Sequence, residues 1–221
     1  MQRHFEKELE SLKINIIKMS SIVEDAIGLA IKAVLNRDAA IAQKVIDSDE
    51  RINALELEID NAIVDLLALK QPVAIDLRLI LAAQKINNDL ERIGDHAVNI
   101  AESSLMLIKT PIQEPLLEIP KMAEVAQTML RNAIDGFIHA DPKLGKAVLE
   151  QDDTIDELNR KMVREVIQLM KSNNAAIEGG LELIRVSRNL ERVADLATNI
   201  AEEVIFITQA KIVKHRADEK K

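Results

Sequence analysis

The segment NDLERIGDHAVNIAE at residues 88–102 returns as RNLERVADLATNIAE at 188–202, one hundred positions later. A chain that carries one helical pattern twice at this distance is built from two similar halves, and whatever fold one half adopts the other must repeat. The copies agree at Glu91 and Glu191, Arg92 and Arg192, Asp95 and Asp195, Asn99 and Asn199, and Glu102 and Glu202. A helical core does not need polar side chains at such places, so their repetition points to chemistry rather than to packing.

The apolar spacing makes both halves helical. Phe5, Leu9, Leu12, Ile16, Met19, Val23, Ala26, Ala30 and Ala33 alternate steps of four and three, which is the seam of one long helix. Asp38 follows as a cap for a second helix, whose seam is Ile41, Val45, Ile52, Leu55, Ile59, Ala62, Leu66 and Leu69. Pro72 interrupts that helix, and a third runs through Leu79, Ala82, Ile86, Leu90, Ile93, Ala97 and Ile100. The same programme restarts with Met122, Ala126, Met129, Ala133 and Gly136. Asp141-Pro142 aligns with the Arg37-Asp38 turn and opens a fifth helix on Leu144, Val148, Ile155, Leu158, Met162 and Leu169. A loop across 172–180, with Gly179 and Gly180, leads to a sixth helix on Leu183, Val186, Leu190, Val193, Ala197, Ile200, Val204 and Ile207. Short turns force antiparallel neighbours. The expected fold is therefore all-α, two tandem antiparallel three-helix bundles of six long helices: 1–108, a proline-rich linker at 109–119, and 120–221.

Composition narrows the function. A net charge of −8 and only three aromatic residues, Phe5, Phe137 and Phe206, argue against a nucleic-acid binder, which needs a basic face and often stacking rings. The absence of cysteine excludes disulfides, thiolate catalysis and cysteine-ligated metals, and it fits an intracellular protein. Neither a signal peptide nor a membrane span is legible, so a cytoplasmic location is expected.

On the third helix the seam lies on one side, and Asn88, Glu91, Asp95, Asn99 and Glu102 lie opposite, facing outward. Glu91 and Asp95 are four residues apart, where like charges repel by about 0.2–0.5 kcal/mol, and a bound cation reverses that repulsion. Alternatively Arg92 and Arg192, three residues before Asp95 and Asp195, relieve it as ordinary surface ion pairs. Asp49, Asn53, Glu56 and Asp60 share a flank of the second helix, with Asp152, Asp153, Asp156 and Asn159 in the aligned places, so adjacent helices bring oxygens together. Oxygen donors select hard cations. His96, next to Asp95 and matched by Leu196, is not expected to be a ligand, and Arg185, Arg188 and Arg192 form a basic row suited to a phosphate or an acidic helix. No phosphate loop or nucleophile elbow is present.

These motifs, with QPVAIDLR at 71–78, resemble the PhoU family of phosphate-uptake regulators across essentially the whole chain. The resemblance implies a regulatory adaptor, not an enzyme, that links a phosphate-specific ABC transporter ATPase to a sensor histidine kinase and represses the phosphate-starvation response. It implies a cytoplasmic homodimer, peripheral to the membrane through its partners. The family's Glu/Asp-x-x-x-Asp motif, which holds multinuclear iron or another metal, maps onto Glu91, Asp95, Glu191 and Asp195, with Asp49, Asp152 and Asp156 as its second row and Asn99 and Asn199 as further oxygen donors. Iron is the expected ion, with magnesium, manganese, calcium or zinc as alternatives. Asn53 stands where a carboxylate would align with Asp156, which makes a weaker first site the expectation. The competing reading is a carboxylate-bridged metal enzyme, an oxidase or phosphatase.

Overall fold

The computed structural model describes residues 2–110 and 118–210. The linker expected at 109–119 falls mostly outside these residues, and the basic tail from Lys211 entirely so. Six helices follow in order: α1 (Gln2–Asn36), α2 (Ala39–Lys70), α3 (Ala74–Leu107), α4 (Ile119–His139), α5 (Pro142–Ser172) and α6 (Ile177–Gln209).

The two turns predicted to match do so. Asp38 accepts hydrogen bonds from the amides of Ala40 and Ile41, and Asp141 accepts one from Lys143, each at the start of its helix. The residue before each cap is left-handed, Arg37 at φ 52° and Ala140 at φ 49°. A side chain pays a steric cost there that glycine does not. Ala140→Gly is expected to stabilise the protein by about 0.5–1 kcal/mol, read as a rise in the urea midpoint at unchanged slope.

Within each half three helices bury the anticipated seams: Leu12, Ile16, Met19 and Val23 on α1, Ile52 and Ile59 on α2, and Ile86, Leu90 and Ile93 on α3 are all at most 1% exposed. One expectation fails at the end of α2, where Leu69 is 72% exposed and Ile63 is buried instead. A straight helix drifts about 20° per heptad from a strict seven-residue repeat, so by Leu69 the extrapolated seam has rotated off the core. A second correction concerns Gly179 and Gly180, which lie inside the first turn of α6 rather than in a loop. A Cβ on Gly180 would stand 2.8 Å from Met170 Cγ, so glycine permits the close approach of α5 to α6.

The halves join through α3 against α6, the most extensive helix pair, and through α1 against α4. The resulting order is α2, α3, α6, α5 side by side, with α1 behind the first pair and α4 behind the second. Consequently α3 and α6 are buried on two sides. That explains their small residues, Ala83, Gly94, Ala97 and Ala101 on α3 and Ala194, Ala197 and Ala201 on α6, all buried. It also corrects the expectation of a single inward face opposite an outward stripe, because Asp89, Asn189 and Glu203 are buried between these helices.

Candidate functional site

The outer surface of α3 divides between two neighbours. Glu91 and Asp95 turn toward α2, where their charges meet those of Asp49 and Glu56. Burial raises the carboxyl pKa of Glu91, and the nearby Asp95, Glu56 and Asp49 raise it further. Asp95 is raised by burial and by Asp49, and Glu56 by burial together with Asp60 and Asp95. Asn53 donates to Asp49 Oδ2 at 2.9 Å, while Asp49 Oδ1 is shielded from water and accepts no hydrogen bond. An uncompensated acceptor beside three other carboxylates is a place where a cation relieves both defects.

The second groove, between α6 and α5, is built from Asp156, Asn159, Glu191 and Asp195, and its electrostatics differ. Arg192 donates to Asp195 at 3.0 Å, and Arg160 approaches Asp156 at 3.6 Å. Asn159 donates to Glu191 at 2.8 Å and receives the Ser187 hydroxyl at 2.6 Å. Burial still raises the pKa of Asp195, with Arg192 opposing. In the first half the matching arginine, Arg92, instead faces Asp89 at 3.8 Å, so Asp95 lacks the partner that Asp195 has. Relief by arginine, weighed from spacing for both halves, thus operates in one.

Glu56 is the member that the sequence reading left out of the site. It occupies the place of Asn159, just as Asn53 occupies that of Asp156, so the two grooves exchange one acid for one amide and keep equal numbers of carboxylates. The signal was present in the aligned flanks, but only the α2–α3 contact shows that Glu56 reaches Glu91.

Asn99 and Asn199 are not brought to the acids. Arg185 donates to Asn99 at 3.1 Å and to Glu102 at 2.9 Å, and Asn199 hydrogen-bonds Asp89. Both belong to the α3–α6 seam, as does His96, whose Nδ1 lies 2.8 Å from Asn189 Oδ1. Because Asn189 Nδ2 donates to the Arg185 carbonyl, its oxygen faces the imidazole and His96 Nδ1 is the donor. Lys85 closes the seam's other end on Glu203 at 2.6 Å. The basic row lines a surface depression of about 290 Å³ with Leu181 and Ile184, but Arg185 and Arg192 are engaged with their acidic neighbours.

The donor chemistry of both grooves fits a hard cation, oxygen-only and rich in negative charge. Their geometry as it stands is looser, since among the described residues no three His, Cys, Asp or Glu side chains are arranged to hold an ion. Coordination therefore requires rotation of surface carboxylates, which half-exposed side chains perform readily.

Two repeated three-helix bundles with polar side chains along open inter-helix grooves define a class of duplicated, all-helical proteins. The chain belongs to the PhoU family: the PhoU domain matches twice, at residues 16–104 and 119–204. It is similar to the phosphate-specific transport system accessory protein PhoU homologue of Aquifex aeolicus, with 39% identity over 95% of each chain. The homologue 1 of Thermotoga maritima is 36% identical, over 96% of this chain and 91% of that one. The crystal structure of PhoU from Pseudomonas aeruginosa superimposes with a TM-score of 0.91 at 35% identity, covering 94% of this chain and all of that one. The phosphate transport system regulatory protein PhoU from Streptococcus pneumoniae gives 0.89 at 27% identity, over 96% and 100%.

Proposed function

We propose that this protein is a regulatory accessory of phosphate uptake, an adaptor that reports the state of a phosphate-specific ABC transporter, through its ATPase subunit, to a sensor histidine kinase. The observation that carries this reading is the match of both halves to one family, with relatives named as transport accessory proteins over nearly the full length. No helix among the described residues is long and apolar enough to cross a membrane, so association with a transporter runs through protein contacts, which accords with a cytoplasmic adaptor. A homodimer would present each face twice. The carboxylate grooves hold hard cations, iron foremost, through Asp49, Glu56, Glu91 and Asp95 in the first half and Asp156, Glu191 and Asp195 beside Asp152 in the second. The ion's role is electrostatic: it holds neighbouring helices together where their acids repel. The enzymatic alternative gains no support from this geometry, because the acids line open grooves whereas catalysis favours a concave, partly dry site.

Deletion of the gene is the test. Loss of the protein is expected to derepress phosphate-starvation genes in phosphate-rich medium, and the transporter ATPase is expected to co-purify with the tagged protein. Unchanged expression together with no recovered ATPase would overturn the adaptor reading.

A further inference from the structure

The five large hydrophobic side chains that are at least 60% exposed among the described residues all fall between positions 57 and 75: Leu57 at 61% and Val64 at 60% on α2, Leu69 at 72% near its end, Val73 at 72% just before α3 and Ile75 at 64% in its first turn. On α2, Leu57 and Val64 belong to a stripe of exposed residues, Ala54, Leu57, Asn61, Val64 and Ala68, at steps of three and four. This is heptad spacing on an edge helix, since among the described residues α2 packs only against α1 and α3. The stripe lies opposite the α2 core positions Leu55, Ile59 and Leu66.

The duplication supplies an internal control. In α5 the aligned positions are Glu157, Arg160, Arg164, Ile167 and Lys171, while the core positions stay apolar, Ile52 matched by Ile155, Leu55 by Leu158 and Ile59 by Met162. The fold thus tolerates charge along this edge and does not need the apolar stripe. An exposed apolar seam that the architecture leaves free marks a contact surface.

Charge identifies the occupant. From residue 52 to residue 69 the helix carries Glu56, Glu58, Asp60 and Asp65 and no Lys or Arg. Paired along the stripe, a second copy of this segment would set Glu58 and Asp65 against like carboxylates, Glu56 and Asp60 being turned toward α3, and an anionic lipid surface would be repelled in the same way. We propose that the α2 edge, Ala54 to Ala68, is a docking seam for an amphipathic helix with Leu/Ala-type knobs and basic flanks, contributed by a partner protein. Leu57 and Val64 insert between the partner's apolar knobs, and Asn61 at the middle of the stripe sets the register, as a single polar seam residue does in helix pairs. Glu58 and Asp65 receive the basic flanks. The seam relies on the adaptor reading for the partner's biological identity, while its chemistry stands on the surface itself.

Two synthetic helical peptides with the same Leu/Ala seam, one flanked by Lys and Arg and the other by Glu, separate the possibilities by fluorescence anisotropy at low salt. The basic-flanked peptide is expected to bind about tenfold or more tightly than the acidic one. The double variant Leu57→Arg with Asn61→Arg, which installs what α5 carries at the aligned sites, is expected to weaken that binding by about tenfold at an unchanged thermal midpoint. Equal binding of both peptides, binding of neither, or binding that survives the double variant overturns the proposal. Two further outcomes also overturn it: a self-associated parent that the double variant dissociates in sedimentation, and retention on phosphatidylglycerol vesicles that the variant abolishes. Failure of the peptide measurement with phosphate-starvation control intact removes the seam and leaves the adaptor reading standing.

Discussion

Asp89→Asn is expected to stabilise this protein by about 1–3 kcal/mol at pH 8 and to leave its stability nearly unchanged at pH 3.5. Asp89 lies between α3 and α6, 7% exposed, and burial pushes its carboxyl from 3.8 up to about 6, with Glu203 adding to the rise and Arg92, Asn199 and Lys85 opposing it. A carboxyl whose folded pKa exceeds its unfolded value favours the fold while protonated. That advantage is complete below about 3.8 and is lost as pH climbs through about 6, above which the ionised group costs up to about 3 kcal/mol. Asparagine resembles the protonated acid in shape and cannot ionise, so its benefit appears across that window and then levels off. The attraction to Arg92, 3.8 Å away and about half exposed, is already contained in that net rise. Urea unfolding of parent and variant between pH 3.5 and 8 decides the matter. A variant less stable than the parent at pH 8 would show that the Asp89 charge supports the seam instead of straining it.

The second large effect concerns the first carboxylate groove. In chelator at pH 7.5, Glu91→Gln with Asp95→Asn is expected to be more stable than the parent, because it removes two of the acids whose mutual repulsion and burial raise their pKa values. Addition of Mn²⁺ or Mg²⁺ should reverse the order. At an ion concentration of roughly a hundred times the dissociation constant the parent gains about 2.7 kcal/mol, and the variant gains much less. The matching pair Glu191→Gln with Asp195→Asn is expected to remove a smaller part of the response, since Arg192 already satisfies Asp195 at 3.0 Å. This ranking reverses the one expected from Asn53, because Glu56 supplies the missing charge and the first groove has no arginine on Asp95. Calorimetric midpoints with and without ion, together with elemental analysis of the purified protein, provide the measurement. A parent whose midpoint ignores every hard cation, and which carries no metal, would sink the assignment.

Periodicity made the fold legible because a long helix repeats its inward positions at fixed spacing, and the duplication checked each half against the other. Asp38 and Asp141 were readable as caps for the same local reason. Leu69 misled because a seven-residue repeat extrapolated over two heptads no longer follows a helix of 3.6 residues per turn. Gly179 and Gly180 misled because glycine serves close helix approach as well as turns, and only the position of Met170 distinguishes the two.

The candidate site was legible by residue type and less so by grouping. Glu91, Asp95, Glu191 and Asp195 stood out through repetition, yet Asn99 and Asn199 repeat equally well and serve the α3–α6 contact instead. Repetition records that a residue was kept in both halves, whatever it was kept for. Which neighbour a polar side chain meets depends on which helix lies at that angle around the axis.

From its own order of residues this chain specified helices, caps, doubling and the inventory of acids, because those follow from interactions within a few turns. The tertiary packing alone decided that α3 and α6 are buried on two sides, that Arg192 turns to Asp195 while Arg92 turns to Asp89, and that the α2 edge is left apolar and open. Those outcomes depend on which helices lie beside each face, which also decides the side to which an arginine turns on its own helix, and no local spacing encodes the angle at which two helices face each other.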